Sequence, residues 1–148
     1  MQSPRMSQRR FLVACLGVCM CSLMLACAST EAPSLYVRLG GAKGLPRLVD
    51  RVVNRAAQDP RTQRSFEGVP LASVKQKMTV QLCALTGGRC TYGGETMAQV
   101  HKHLKIQGAE FDALMDIWRE ELDQAELGTA AKVQLLKLLA AMKRDNVQ

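Results

Sequence analysis

The only imidazoles in this chain are His101 and His103, set two residues apart in Met97-Ala98-Gln99-Val100-His101-Lys102-His103-Leu104-Lys105-Ile106. Met97, Val100, His101 and Leu104 fall at i, i+3, i+4 and i+7, a spacing that predicts a helix carrying all four on one face. His101 thus shares an apolar stripe, whereas His103 is turned about 200° round the helix and faces away. An imidazole pointing into a core must be satisfied by a hydrogen bond or a metal, because an unpaired buried polar group costs about 1–3 kcal/mol. The plain alternative is a core histidine bonded to a carbonyl. Zinc is poorly supported: His-x-His aims both rings one way only on a strand, the spacing here is helical, and no third ligand is evident.

The cysteines carry the other chemistry. Arg5, Arg9 and Arg10 precede an apolar run from Phe11 to Leu25, and Leu23-Met24-Leu25-Ala26-Cys27 closes it with a small residue before cysteine. This is the pattern of an export signal, and the run is short against the about 20 apolar residues of a membrane span. Its end resembles a bacterial lipobox, which makes Cys27 the expected acylation site; a plain cleaved signal, cut near Ala26 or Ala28, is the alternative. Ser7-Gln8-Arg9-Arg10-Phe11-Leu12 also resembles a degraded twin-arginine signal. Residues 1–26 are therefore expected to be a lipoprotein-type signal peptide, 27–34 a linker and 35–148 the folded domain, exported to the periplasm and held at a membrane only by a lipid anchor. Cys15, Cys19 and Cys21 would leave with the signal, so Cys83 and Cys90 remain as a plausible disulfide in an oxidising compartment. One buried and one loop thiol is the alternative. No Cys-x-x-Cys-His occurs, so covalent c-type haem attachment is not signalled. The net charge of +7, less Arg5, Arg9 and Arg10, leaves +4 of mixed sign. That describes a solvated surface, with no basic stripe and no nucleic-acid partner.

Positioning His101 falls to a series of helices. Ser34 can cap a short helix through Arg38, stopped by Gly40-Gly41. The next opens with Pro46 near its first turn and carries Leu45, Leu48, Val49, Val52, Val53 and Ala56 on one face as far as Asp59-Pro60. Phe66 stands alone in a polar loop, as a plug on the core or a lid on a cofactor. Pro70 introduces a helix with Leu71, Val74, Met78, Leu82 and Leu85, flanked by the solvated Lys75 and Lys77. The glycine-dense Gly87–Gly94 segment lacks the Gly-Lys-Ser/Thr ending of a phosphate-binding loop and predicts a turn. After Gly108 come Phe111, Leu114, Met115, Trp118, Leu122 and Ala125 on one helix, and Thr129 caps a last one with Val133, Leu136 and Leu139. No strand is convincing, so the fold class is all-α.

The order of these features resembles the group I truncated haemoglobins, short globins that stack two helices over two around haem. Leu35-Tyr36-x-x-Leu39-Gly40-Gly41 is similar to the family's opening, and Asp59-Pro60 with Phe66-x-Gly68 to the segment that delivers an aromatic to the haem face. Gly87-Gly88 with Tyr92-x-Gly94 resembles the second glycine motif, and Met97-x-x-Val100-His101-x-x-Leu104-x-Ile106 before Phe111-Asp112 the proximal segment. The match covers Leu35 to about Leu139. It implies haem b as cofactor, His101 as axial iron ligand, and Phe66, Val74, Lys77, Met78, Leu82, Met97, Leu104, Ile106 and Phe111 around the haem. Neutral imidazole suits this role, given a carbonyl or water to orient its other nitrogen.

One departure bears on function. The family usually has Phe-Tyr where this chain has Val52-Val53, and often glutamine at Met78, so the usual donors to a bound gas are replaced by an apolar distal side of Val53, Val74 and Met78. The Met78 thioether or the Lys77 amine could instead reach the iron as a sixth ligand, the former a pairing found in electron-transfer haems. Against that stands Met78 as core filling, with Lys77 meeting a propionate. The leading expectation is a haem protein that ligates dioxygen or another diatomic gas, or passes electrons to a partner. The alternative is a haem-free helical lipoprotein acting as an interaction module. An enzyme of peroxidase or NO-detoxifying type is less favoured, since a peroxidase would want a distal acid-base group that the sequence does not supply.

Overall fold

The computed structural model of the protein describes residues 32–147. The expected signal at 1–26, Cys27 and most of the 27–34 linker lie outside the described residues. Those described form an all-helical domain: α1 Leu35–Arg38, α2 Gly41–Ala56, a 3-10 turn Gln63–Phe66, α3 Leu71–Leu85, α4 Met97–His101, α5 Gly108–Gln124, α6 Thr129–Ala141 and α7 Lys143–Asn146. None of these helices is long and apolar enough to cross a membrane.

Local chemistry sets the boundaries. Ser34 Oγ accepts the Val37 amide at 3.4 Å and starts α1. Gly40 turns the chain with φ +85°, and a Cβ there would lie 2.8 Å from the Gly44 Cα, so conformation and space both require glycine. α2 begins five residues ahead of Pro46, which therefore sits inside the helix and not in its first turn. The missing amide leaves only the carbonyl of the exposed Ala42 without its helical partner, and water can take that place. As expected, Leu45, Leu48, Val49, Val52, Val53 and Ala56 make the buried face of α2.

Three expected faces need correction. α6 starts from Gly128 as its cap, with Thr129 inside, and buries Ala131, Leu135 and Leu139, while Val133 is 59% exposed. This helix is apolar on most sides, so spacing alone did not single out the inward one. In α3 the last turn buries Leu82 and Cys83, with Thr86 after them, and Leu85 points to solvent. α4 stops at His101 instead of running on to Ile106; Leu104 N bonds back to His101 O at 3.0 Å and Lys105 takes φ +48°.

The layers follow from these faces. α2 packs on α3 and on α5, and α5 packs on α6, giving two helix pairs one over the other. α1 bridges α2 and α6, while the short α4 rests on α7. Trp118, Ile117, Leu122, Leu135, Leu39 and Leu45 fill the centre. At its edge the buried Glu121 of α5 is gripped from α2, accepting from Arg51 Nε at 2.8 Å and Arg55 Nη1 at 3.4 Å. Cys83 and Cys90 are bonded, with Cα atoms 5.8 Å apart, which fastens the glycine loop to the end of α3. Gly88 is required there, because a Cβ would collide with the Cys83 sulfur.

Candidate functional site

His101 projects from the last position of α4, a helix opened by reciprocal bonds between Thr96 and Gln99: the Thr96 hydroxyl accepts the Gln99 amide and the Gln99 side chain accepts the Thr96 amide at 2.9 Å. Its Nδ1 lies 2.8 Å from the carbonyl oxygen of Met97, one turn back. A carbonyl can only accept, so Nδ1 is the donor, and in the neutral ring Nε2 is then the nitrogen with the free lone pair. The carbonyl that the plain alternative required is present, and it leaves the other nitrogen available for a metal. His103 is exposed and does not join it.

His101 lines a cavity of ≈ 510 Å³ between the helix layers, within the roughly 300–1,000 Å³ of small-molecule and cofactor sites. Around the same cavity stand Phe66 from the 3-10 turn, Val74, Lys77, Met78 and Leu82 from α3, and Met97 from α4. Leu104, Ile106 and Phe111 complete that set. The structure thus brings together every residue expected around the group except one. Val53 is 1% exposed in the α2 core and is not among the lining residues. α2 packs on α3 and α5, and of the three expected distal residues only Val74 and Met78, both from α3, line the cavity.

Several lining residues carried no role in the sequence reading. Gln81 Nε2 lies 3.9 Å from the Met142 sulfur, so α3 does offer an amide to the cavity, one turn beyond Met78. Tyr92 hangs from the disulfide-fastened loop, its hydroxyl donating to Glu95 O at 3.0 Å. Glu110 also lines the wall. Burial opposes its ionisation, but Arg64, the Gln107 amide and the Ser65 hydroxyl outweigh that and hold its pKa below the usual carboxylate value. A Glu three residues after Gln107, ahead of an apolar run, was the available signal. Among the described residues no cluster of three or more His, Cys, Asp or Glu could hold a metal ion, so the zinc alternative finds no ligand set there.

A two-layer helical sandwich around an apolar cavity with a single tautomer-fixed imidazole is the architecture of a haem-binding globin. The model of the bacterial-like globin family matches residues 34–147, and the chain belongs to that family. The group 1 truncated hemoglobin of Synechocystis is 31% identical over 87 residues, 56% of this chain and 70% of the relative. That of Tetrahymena pyriformis is 23% identical over 112 residues, 76% of this chain and 93% of the relative. The crystal structure of the 2/2 hemoglobin from Synechococcus, described with covalently attached heme, superposes with a TM-score of 0.72 at 22% identity, covering 78% of this chain and 98% of that one. Haem iron is accordingly the cofactor of this protein. The residues fit it: an imidazole nitrogen at the wall would be the iron ligand, and the mostly apolar lining would keep the group dry.

Proposed function

We propose that the protein is a truncated haemoglobin whose iron is held by Nε2 of His101 and whose ligand is dioxygen or another diatomic gas. Haem, when bound, supplies a ferrous iron with one coordination position for such a gas. The observation that carries this is the Nδ1 contact to Met97 O at 2.8 Å on the cavity wall. That bond fixes the ring's tautomer and tilt and raises the basicity of Nε2. Phe66, Leu104, Ile106 and Phe111 would keep water from the haem, and the exposed Lys77 would meet a propionate. Val74 and Met78 offer no hydrogen to the gas.

Export and anchoring through Cys27 belong to the same proposal. They are supported by the basic start, the apolar run and the small residue before Cys27, and are compatible with the Cys83–Cys90 bond, which suits an oxidising compartment. Labelling cells with a fatty-acid analogue should tag the wild type and not Cys27→Ser; an unlabelled wild type retaining Met1 would refute the anchor.

The haem reading is tested by purifying the full chain from cells supplied with haem and recording its Soret band. His101→Ala should lose the wild-type spectrum, and His103→Ala should keep it. Equal loss from both would place the metal elsewhere, and a colourless wild type would favour the haem-free interaction module. A six-coordinate ferrous form that Met78→Ala converts to five-coordinate would put electron transfer ahead of gas binding.

A further inference from the structure

The Arg64 guanidinium ties the 3-10 turn to two neighbouring stretches of the cavity wall far along the chain, Leu104–Lys105 and Glu110. Its Nη2 and Nε meet the Glu110 carboxylate at 2.6 and 3.2 Å, a forked pairing. Its Nη1 donates to Leu104 O at 3.2 Å and its Nη2 to Lys105 O, also at 3.2 Å. Glu110 in turn accepts from Gln107 N at 2.8 Å and Ser65 Oγ at 3.1 Å, and Gln107 Nε2 donates to Lys105 O at 3.2 Å. The turn so gripped contains Lys105, the only non-glycine residue with positive φ among the described residues. Such a conformation persists only where its surroundings over-determine it.

Every segment in this clamp carries a cavity residue beside it: Phe66 follows Ser65, Leu104 and Ile106 flank Lys105, and Phe111 follows Glu110. The gripped turn is also the one through which the chain leaves His101, whose carbonyl accepts from Leu104 N. The Met97 carbonyl fixes the ring from the N-terminal side, and the clamp fixes the backbone from the C-terminal side.

We infer that Arg64 and Glu110 are positioning residues that set the pitch of the His101 ring against the haem, an inference that rests on His101 being the iron ligand. In haem-free Arg64→Ala, the Leu104 and Gln107 amides should exchange hydrogen about tenfold faster than in wild type, the factor equivalent to one charge-assisted hydrogen bond. In the ferrous haem-loaded full chain, Arg64→Ala and Glu110→Gln should both shift the iron–histidine stretching band. In His101→Gly reconstituted with haem and free imidazole the ligand ring is no longer tied to the chain, so adding Arg64→Ala should leave the band unmoved. Unchanged exchange, an unchanged band in both variants, or a shift that persists with free imidazole would overturn the inference. A His101→Gly protein that keeps the wild-type band without imidazole would instead overturn the ligand assignment, and the inference with it. Arg64 is 54% exposed, so its loss does not open the core, and Glu110→Gln keeps the side-chain shape.

Discussion

The distal wall shows what a single side chain decides. Met78 reaches the cavity and Val53 does not, so the two apolar replacements expected to act together have different consequences. Met78→Gln adds an amide at the wall and should slow oxygen release about two- to tenfold, from the about 0.5–1.5 kcal/mol of one neutral hydrogen bond, with little change for carbon monoxide; laser-flash or stopped-flow kinetics reads both. Val53→Tyr should cost about 1–3 kcal/mol of stability by overpacking the α2 core, read from urea midpoints. Slow release in the unmodified protein would reveal another donor, with Lys77 and Gln81 the residues to substitute first. The placement of His101 on the cavity was legible because Met97 and Val100 precede it at helical spacing, although Val100 is 44% exposed and Leu104 reaches the cavity from the turn beyond the helix. The absence of Val53 from the cavity was not legible, because a wide apolar face reads alike whether it meets another helix or a cofactor.

At the scale of elements, two ties hold the sandwich. Glu121→Ala should destabilise the domain by about 1–3 kcal/mol, less than the about 3–5 kcal/mol of a fully buried pair, because Arg51 and Arg55 keep 42% and 36% of their side chains exposed and can turn to water. Denaturant unfolding measures it. Reducing the Cys83–Cys90 bond, which closes a short loop, should cost about 2–3 kcal/mol, visible as a lower melting temperature with reductant and absent in Cys83→Ser/Cys90→Ser. The helices α2, α3 and α5 could be read from apolar periodicity, although the start of α2, five residues ahead of Pro46, could not. The end of α4 could not, since it depends on Arg64 reaching across from another segment to hold the Lys105 turn.

For the whole molecule, stability should couple to haem and to acid. With His101 as the iron ligand, haem loading should raise the melting temperature of the wild type by linkage and leave that of His101→Ala nearly unmoved, as calorimetry would show. Asp59 is held at a pKa of about 2, chiefly by hydrogen bonds from the Arg61 side chain and amide, and Glu110 is also lowered. A carboxylate depressed in the folded state contributes stability above its unfolded pKa and loses it as pH falls through the folded one. The domain should therefore weaken from about pH 4 toward pH 2, and Asp59→Asn should flatten that part of the curve. The acid limb of unfolding followed by circular dichroism checks this.

By itself the sequence determined the helical class, the inward stripe of α2, part of that of α5 (Ala113 and Ile117 are buried off the expected stripe, and Ala125 lies past the helix end), the turns at Gly40 and Gly87, and His101 as the histidine that faces apolar surroundings. Those are local properties, set by spacing of apolar residues and by backbone conformations that only certain residues adopt. Tertiary structure decided the rest. It set which side of the largely apolar α6 turns inward, the bond between Cys83 and Cys90, and the clamp of Arg64 on Glu110. The pairings from Arg64 to Glu110 and from α2 to α5 join atoms tens of residues apart, and where such groups meet is settled only when the helix layers close.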